Sequence, residues 1–343
     1  MDEGEDGGRG SKIRSMKKAT AVAHSNIALV KYWGKGDEKL RLPVNSSAAI
    51  TLDNLTTITT VEFRQDLTTD QVELLGGGFE SGEVEKVSKH LDRVRQLAKI
   101  EWRGKVVSQN SFPKAAGMAS SASGFAALTV SAAKAAGLNL SAKELSILAR
   151  QGSGSASRSV PGGVSVWHGG AGSETSFAER IDYPKEWGLH VLLVMAEDTS
   201  AKKVGSTEGM ALAVTSPYFE TAVKEAEQNI VRLTMAMGKG DWRAFGKVIE
   251  DECYRLHALC MTTTPNILYW RGVTVEVFQR LLKMREQGIE AFFTVDAGPH
   301  VHVVCKGQDV EGVKKSLGEL TGIKTIIECG IGDGAKIIDN HLF

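Results

Sequence analysis

Two runs of glycine, alanine and serine limit the folds open to this chain more than any other feature. The first, PKAAGMASSASG (113–124), follows the strand-like segment KVVSQNSF (105–112) and opens an alanine-rich helical stretch. The second, GSGSASRS (152–159), follows a helix whose start is marked by a Ser141–Glu144 capping box. Small side chains let the backbone approach a ligand, and a helix N-terminus presents unpaired N–H groups to a phosphate. Tight helix–sheet packing favours the same residues, so composition leaves both uses open for the first run.

The first run matches neither of the two common nucleotide-binding motifs. It lacks the Gly-Lys-Ser or Gly-Lys-Thr ending of a Walker A loop, and its glycines do not follow the GxGxxG spacing. The second run contains a single cation, Arg158, among small residues that cannot shield it. Serine hydroxyls and a guanidinium are suited to a phosphate or a carboxylate, so a binding loop is favoured there over a flexible linker.

Three further charged residues stand at the ends of apolar segments. Lys31 and Lys35 close the segment NIALVKYWGK (26–35), where they could hold an anion, although a single lysine is more often only solvated. Asp296 follows the apolar segment AFFTV (291–295) and precedes a tight Ala-Gly-Pro turn. A carboxylate at a buried strand end is a candidate general base, and its alternative role is to form the turn.

Periodicity predicts an α+β chain made of two halves. The first half alternates strands with helices, and the second is richer in long helices. We predict strands at 18–31, 56–63, 105–112, 190–196, 291–295, 301–305 and 324–329, and helices at 84–98, 120–136, 141–151, 218–237, 241–261, 274–287 and 309–320. The change of character near residue 185 predicts an N-terminal domain at 17–186 and a C-terminal domain at 187–343. They follow a polar tail at 1–16 that we expect to be disordered.

The charge balance argues against two classes of protein. Lys+Arg and Asp+Glu both number 41, so the formal net charge is zero, and no general basic surface for nucleic acid or membrane lipid is expected. No apolar run approaches the roughly 20 residues of a membrane span. The start of the chain lacks the apolar stretch of a signal peptide, which predicts a cytoplasmic protein. Cys253 and His257 would share a helix face, where a core position is favoured over a metal site.

Seven segments, in this order along the chain, resemble the GHMP small-molecule kinase superfamily and, within it, the mevalonate diphosphate decarboxylase family. They are NIALVKYWGK (26–35), LPVNSSAAITL (42–52), SFPKAAGMASSASGFAAL (111–128), ARQGSGSASRS (149–159), KKVGSTEGM (202–210), TSPYF (215–219) and VDAGP (295–299). The glycine–serine loop by itself marks only the superfamily. KYWGK, RQGSGSAxRS and DAGP together are typical of the decarboxylase family.

The resemblance implies a two-domain GHMP-kinase-like fold. Its N-terminal domain would contain a left-handed βαβ unit, its C-terminal domain would be ferredoxin-like, and the active site would lie in the cleft between them. The resemblance also implies ATP and Mg²⁺ as cofactors and a small phosphorylated substrate. The reaction expected from the family converts (R)-mevalonate 5-diphosphate to isopentenyl diphosphate, with release of ADP, phosphate and CO₂. Members of the family often form homodimers, so a homodimer is possible, but no dimer interface can be read from the sequence.

The resemblance assigns roles to individual residues. Asp296 is expected beside the substrate 3-hydroxyl, Lys31 near the carboxylate and the transferring phosphoryl group, and Arg158 on the carboxylate. The 5-phosphate end is expected to be held by Tyr32, Lys35, Ser153, Ser155, Ser206 and Thr207. Contacts to ATP are expected from Asn110, Ala115, Gly117, Met118, Ala119, Ser120, Ser121 and Ser123, with Ser121 as a Mg²⁺ ligand.

Some positions depart from the usual pattern of the family. Lys114 stands where Thr is common, and His300 replaces Asn after DAGP. These changes leave the number of phosphates on the substrate open, so a decarboxylase of mevalonate 5-phosphate is the alternative. A mevalonate 3-kinase ranks lower because such relatives are expected to lack an Asp at the position of Asp296. A non-catalytic ligand sensor ranks lower because the charged site residues are all retained.

Overall fold

Two long antiparallel strands form the centre of the first half of the chain. In the computed structural model, β1 (Ala19–Val30) pairs with β4 (Ser47–Arg64) over nearly its whole length. Many residues of β4 are β-branched, which favours the extended backbone of a buried strand. The structure describes residues 18–78, 82–112, 120–197 and 204–343.

The described residues form a seven-stranded sheet, a four-stranded sheet and a two-stranded hairpin, together with nine α-helices. The further strands are β2 (Lys35–Asp37), β3 (Leu42–Pro43), β5 (Gln71–Leu75), β6 (Arg103–Asn110), β7 (Val164–Trp167), β8 (Ala178–Ile181), β9 (His190–Ala196), β10 (Phe292–Val295), β11 (Val301–Cys305), β12 (Ile323–Cys329) and β13 (Lys336–Ile338). The helices are α1 (Glu83–Ala98), α2 (Ser120–Ala135), α3 (Ala142–Gly152), α4 (Ala156–Ser159), α5 (Ser206–Leu212), α6 (Phe219–Gly238), α7 (Trp242–Met261), α8 (Gly272–Glu286) and α9 (Val310–Gly318).

Strand β4 is the branch point of the seven-stranded sheet. Its first residues pair with β7 and its second half pairs with β6, while β1 pairs with both parts. The main strand order is β13-β1-β4-β6-β5. Strands β5 and β6 are parallel, and α1 connects them, so this part of the chain is a βαβ unit.

Helix α2 carries the alanine-rich stretch across this sheet. Its alanines Ala122, Ala126 and Ala132 are fully buried, and the helix packs on β1 and β4. Small side chains let the helix backbone come close to the strands, so its apolar face needs no large residues. Helix α3 begins with the predicted capping box, in which Glu144 N–H donates to Ser141 Oγ at 3.3 Å and Ser141 N–H donates to the Glu144 carboxylate at 2.8 Å.

The four-stranded sheet has the order β10-β11-β9-β12, and all its pairs are antiparallel. One hydrophobic core joins this sheet to the first one. It brings Ile50 and Leu52 of β4 together with Val191 and Met195 of β9 and with Phe245 of α7. The two halves of the chain therefore share a core.

The predicted α+β class is confirmed, and each predicted strand and helix has a counterpart in the structure, although β4 begins at Ser47 and the prediction placed its start at residue 56. The prediction omitted the short elements: strands β2, β3, β5, β7, β8 and β13 and helices α4 and α5. The last predicted strand was 324–329, but β13 follows it and pairs antiparallel with β1. A three-residue strand is too short to give a periodic signal, and its partner lies near the other end of the sequence. The division into domains near residue 187 stays a prediction, and the predicted tail at 1–16 lies outside the described residues.

Two predictions about cysteines and membranes can be compared with the described part of the chain. All four cysteines are buried and free. Cys253 and His257 are both buried, which agrees with the predicted core position. Within the described ranges no group of three or more His, Cys, Asp or Glu could hold a metal ion. None of the described helices combines the length and the apolar character that crossing a membrane requires.

Candidate active site

The end of β1 places Lys31 inside the protein, where its main chain and its side chain are both bonded. The residue is 1% exposed. Its Nζ donates to Asp296 Oδ1 at 2.7 Å and to the Ala28 carbonyl at 2.8 Å. Its N–H donates to the Glu252 carboxylate at 2.9 Å, and its carbonyl accepts from Asn45 Nδ2 at 2.9 Å. A buried ammonium group is stable only with such partners, and here they also fix its position.

Asp296 follows β10 and is held between two cations. Burial alone raises the pKa of Asp296, but the electrostatic effects of Lys31, His302 and Arg158 and the hydrogen bond from Lys31 outweigh it, so the pKa lies below its ordinary value. The side chain keeps 39% of its surface open toward the neighbouring cavity. The turn after Asp296 is closed by its carbonyl, which accepts from Gly298 N–H at 2.8 Å. The ionised carboxylate is therefore available to a ligand.

The short helix α4 buries Arg158 beside the same cavity. Nη1 donates to Ser47 Oγ at 2.6 Å and Nε donates to Asn26 Oδ1 at 3.3 Å. Burial lowers the pKa of Arg158 to about 10, although the Asp296 and Tyr32 charges act in the opposite direction. Arg158 thus stays protonated at neutral pH. Within the described ranges it forms no ion pair, and its Nη2 makes no hydrogen bond, so donors remain for an anionic ligand.

The second small-residue run passes between α3 and α4 along the ring of Tyr32. A Cβ at Gly154 would lie 2.7 Å from that ring, so only glycine lets the backbone pass this closely. The Oγ atoms of Ser153 and Ser155 lie 3.4 Å apart. The Tyr32 ring packs edge-on against Trp167 with ring centroids 4.7 Å apart. These contacts make the run an ordered loop, as a binding loop requires.

One cavity gathers every residue predicted to bind or transform the substrate. Its volume is about 850 Å³, including the solvent at its mouth. The predicted residues on its walls are Lys31, Tyr32, Lys35, Ser153, Ser155, Arg158, Ser206, Thr207 and Asp296. Trp33, Met210, Leu256 and Ala297 add an apolar part to the wall. Segments from both halves of the chain therefore meet around one space.

A second, more apolar cavity of about 780 Å³ borders the first. Val72, Leu74, Val106 and Phe125 contribute to its apolar wall. Ser121 lines both cavities, and its Oγ lies 3.4 Å from Ser153 Oγ. A ligand that fills the apolar cavity could therefore reach the polar one past this serine.

The predicted nucleotide contacts fall into three groups. Asn110, Ser120 and Ser121 line the apolar cavity. Ser123 is fully buried and lines neither cavity, because its Oγ lies 2.7 Å from Thr57 Oγ in the sheet. The remaining predicted contacts lie outside the described residues and stay predictions: Ala115, Gly117, Met118 and Ala119.

Sequence reasoning missed residues of the site whose roles depend on partners distant in the chain. Arg41, in the β2–β3 hairpin, lines the polar cavity. A single arginine in the segment LRLP carries no signal of such a place. Glu252 is fully buried and binds Lys31 N–H. Here a signal existed, because Glu252 shares the helical spacing of the apolar Ile249 and Leu256, which predicts a buried carboxylate.

Two family models match the chain. Residues 23–178 match the model described as a diphosphomevalonate decarboxylase-like N-terminal domain. Residues 191–337 match the model described as the mevalonate 5-diphosphate decarboxylase C-terminal domain. Together the two matches cover most of the chain.

Individual proteins of this kind are similar to the chain over nearly its whole length. A phosphomevalonate decarboxylase of Haloferax volcanii is 33% identical, and the match covers 94% of this chain and 98% of that protein. The crystal structure of mevalonate diphosphate decarboxylase from Staphylococcus aureus is 37% identical with a TM-score of 0.90, covering 94% of this chain and 98% of that one. A structure described as MDDEF in complex with MVAPP, AMPPCP and magnesium is 39% identical with a TM-score of 0.88, covering 94% and 99%. These likenesses confirm the predicted GHMP-kinase-like fold.

Proposed function

Because the chain belongs to the diphosphomevalonate decarboxylase family and is an ATP-dependent decarboxylase, we propose that it converts (R)-mevalonate 5-diphosphate to isopentenyl diphosphate. ADP, phosphate and CO₂ are the other products. One observation supports this reaction best. A single cavity joins the ionised carboxylate of Asp296 to Lys31 and Arg158, and its wall continues into the serine-rich loop.

The apolar cavity suits the nucleoside of ATP. Its wall of aliphatic side chains and Phe125 can cover the faces of a purine, and Asn110 supplies a polar group at its edge. Phosphates that run past Ser121 would direct the γ-phosphate toward Asp296 in the neighbouring cavity. This arrangement supports ATP as the phosphoryl donor.

The residues present also fit a magnesium ion that is held mainly by the phosphates of ATP. Mg²⁺ usually keeps several waters and binds phosphates together with only one or two protein oxygens. Ser121 offers one hydroxyl at the junction of the two cavities, and no cluster of three acidic, His or Cys side chains occurs in the described ranges. When bound, the ion neutralises charge on the transferring phosphoryl group.

Asp296 would orient the 3-hydroxyl of the substrate. Its lowered pKa keeps it ionised at neutral pH, so it accepts a hydrogen bond from the hydroxyl. Such a carboxylate is a weak base, so it takes the proton only as the new O–P bond forms and the bond to ADP breaks. Lys31 Nζ, 2.7 Å from the carboxylate, holds Asp296 in place and stabilises negative charge on the transferring group.

Phosphorylation makes the tertiary oxygen a leaving group. The C3–O bond then breaks with departure of phosphate, and the electron pair of the C1–C2 bond forms the C2–C3 double bond as CO₂ leaves. Arg158 would hold the substrate carboxylate through its remaining N–H groups and so keep the C1–C2 bond oriented for this step. Lys31 and Arg158 are buried, which limits the access of water to the cationic centre that develops at C3.

A second candidate function is the decarboxylation of mevalonate 5-phosphate. The Haloferax relative, named phosphomevalonate decarboxylase, supports it because the match spans 94% of this chain. The polar cavity favours the diphosphate, because two cations, Lys35 and Arg41, lie on the same wall as four hydroxyls. These hydroxyls belong to Ser153, Ser155, Ser206 and Thr207. Such a donor set is large enough for two phosphate groups.

One assay separates these functions. The protein is incubated with ATP and Mg²⁺ and with mevalonate, its 5-phosphate or its 5-diphosphate, and both ADP and CO₂ are measured. We expect both products from the diphosphate, with a kcat/KM far above that of the monophosphate. The reverse preference would support the second candidate. Formation of ADP without CO₂ would contradict both.

We also propose the division into domains that the change of sequence character predicts, with the boundary near residue 187. The family models support it, because they match 23–178 and 191–337. Each half buries apolar surface on the other, and β13 returns to the first sheet. Production of residues 18–186 alone tests whether the first domain folds without these contacts, and a cooperative unfolding transition is the supporting result.

A further inference from the structure

The polar cavity has one cation without a partner among the described residues, Arg41. Lys31 and Lys35 each lie within ion-pair distance of a carboxylate, and Arg158 donates to two oxygen atoms. For Arg41, which is half-buried on the cavity wall, no hydrogen bond or ion pair occurs within those ranges. A guanidinium group in such a place gains most from an anionic ligand.

The hairpin holds Arg41 firmly at the cavity. Leu40 N–H donates to Asp37 Oδ1 at 2.7 Å, and the Leu40 carbonyl accepts from Arg150 Nε at 3.2 Å. Arg150 is fully buried, so it anchors the hairpin to the body of the protein. The φ of Arg41 is +52°, in the left-handed region that side-chain-bearing residues rarely adopt. Such a conformation persists where the surroundings impose it.

The charges around Arg41 do not compensate its own. Burial lowers the pKa of Arg93, and repulsion from Arg41 lowers it further, so two guanidinium groups lie near each other. Glu38, on the same hairpin, is 3.3 Å from Lys35 Nζ. Four cations and one carboxylate line the cavity, so among the described residues its wall carries excess positive charge, which an incoming polyanion would neutralise.

We propose that Arg41 binds the terminal phosphate of the substrate diphosphate and thereby sets how much more tightly the diphosphate binds than the monophosphate. This inference rests on the proposed function. Lys35 and the serine-rich loop share the cavity wall with Arg41, so they remain to hold the phosphate nearer the substrate carbons. The planar fork of a guanidinium matches two phosphate oxygens at once, which a lysine cannot do.

The test measures binding without turnover on the full-length protein. Dissociation constants for mevalonate 5-diphosphate and 5-phosphate are determined by titration calorimetry without ATP. We expect Arg41→Gln to weaken diphosphate binding about tenfold, because a hydrogen-bonded charge pair is lost, and to change monophosphate binding less than about twofold. Lys39→Gln is the matched control, since Lys39 is exposed in the same turn and lines neither cavity. It should leave both constants unchanged.

An unchanged ratio of the two constants in Arg41→Gln would overturn the proposal, and so would an equal loss in Lys39→Gln. Arg41→Lys keeps the positive charge but removes the guanidinium fork. The ratio of its two dissociation constants should therefore lie between those of the wild type and Arg41→Gln. This variant replaces Arg41→Gln in the test if the glutamine variant does not fold. Inorganic pyrophosphate, as a further ligand, separates this inference from the proposed function. If Arg41→Gln loses pyrophosphate binding while the wild-type protein turns over neither mevalonate phosphate, the phosphate contact is retained and the proposed reaction is refuted.

Discussion

Lys31 Nζ lies 2.7 Å from Asp296 Oδ1, and this ion pair joins the end of β1 to the turn after β10. It therefore connects the seven-stranded sheet to the four-stranded sheet inside the cavity. A buried ion pair contributes little net stability while it is intact, because both charges have lost their hydration. Removal of one partner leaves the other charge without compensation. Substitution of Asp296 should therefore affect turnover, and substitution of Lys31 should change the pKa of Asp296.

Asp296→Asn should lose turnover by about a thousandfold, because the amide cannot accept the hydroxyl proton. Binding of ATP should stay unchanged, since the apolar cavity does not include Asp296. The measurements are ADP release and the dissociation constant of a non-hydrolysable ATP analogue. Asp182→Asn, at an exposed acidic residue, is the control and should behave as wild type. Full activity of Asp296→Asn would reduce Asp296 to a turn residue.

Lys31→Met should reverse the direction in which the pKa of Asp296 is shifted. In the wild-type protein the folded pKa lies below the unfolded value of about 3.9. Ionised Asp296 therefore adds stability above that pH, and the contribution is lost as the pH falls through the folded pKa. Without Lys31, burial dominates and the folded pKa should rise above about 3.9.

The variant should then lose stability as the pH rises from the unfolded to the folded pKa of Asp296. Carbon-13 NMR of the Asp296 carboxyl gives the pKa, and urea unfolding at several pH values gives the stability. The double variant Lys31→Met, Asp296→Asn is the control, because it should lack this pH dependence. A pKa in Lys31→Met that stays below the ordinary value would contradict the assignment of Lys31 as the dominant charge.

Arg158→Lys should not be conservative. The lysine cannot keep the contacts to Ser47 and Asn26 and also hold a carboxylate through two parallel hydrogen bonds. We expect kcat/KM for the phosphorylated substrate to fall about tenfold to a hundredfold, while the KM for ATP changes little. Steady-state kinetics with each substrate varied in turn measure this, and Arg243→Lys, at an exposed arginine, is the control. Unchanged kcat and KM would argue against a carboxylate contact at Arg158.

Two buried carboxylates on α7 provide a matched pair of variants. Glu252 accepts from Lys31 N–H and from Asn229, whereas Glu250 accepts from Arg285. Glu252→Gln and Glu250→Gln should each lower the free energy of unfolding by about 1–3 kcal/mol, because each leaves a buried group poorly paired. Only Glu252→Gln should also lower kcat, since only Glu252 touches the backbone of Lys31. Equal effects of both variants on kcat would show that loss of stability alone explains the change.

Gly154→Ala should disturb the loop beside Tyr32. The added Cβ would lie 2.7 Å from the tyrosine ring, so the ring or the loop must move. Such overpacking typically costs about 1–3 kcal/mol of stability, and displacement of Tyr32 and Ser155 should raise the KM for the phosphorylated substrate. Gly172→Ala is the control, because nothing lies within 4 Å of its added Cβ. Thermal unfolding and kinetics on both variants decide the matter, and a wild-type KM in Gly154→Ala would count against a substrate-binding loop.

The sequence predicts best what depends on neighbours along the chain. Helical and strand periodicity located seven of the helices and seven of the strands but missed the short elements. The charged residues at strand ends, Lys31 and Asp296, share one cavity because strand ends from both sheets meet there. Ser123 shows the limit of this reasoning. Its place in a serine-rich run predicts a ligand contact, but the first turn of α2 directs its hydroxyl to Thr57 instead. Composition cannot tell which face of a helix each serine occupies.

Contacts between distant parts of the chain account for the other omissions. Arg41 lies on the cavity wall, and the buried Arg150, more than 100 residues later, helps to hold its hairpin there through Leu40. Glu252 binds the N–H of Lys31 and Asn45 binds its carbonyl, and these two partners come from distant parts of the chain. No pattern in neighbouring residues predicts such partners, because they come together only in the folded protein.

The return of β13 to β1 has a consequence for biosynthesis. The partner of β1, Lys336–Ile338, follows it by more than 300 residues, so β1 leaves the ribosome long before that partner does. Until then one edge of β1 presents unpaired N–H and carbonyl groups, which other strands can bind. Because this pairing spans more than 300 residues, the first sheet stays incomplete until β13 has been synthesised, and until then that edge of β1 can be protected only by other contacts or by a chaperone.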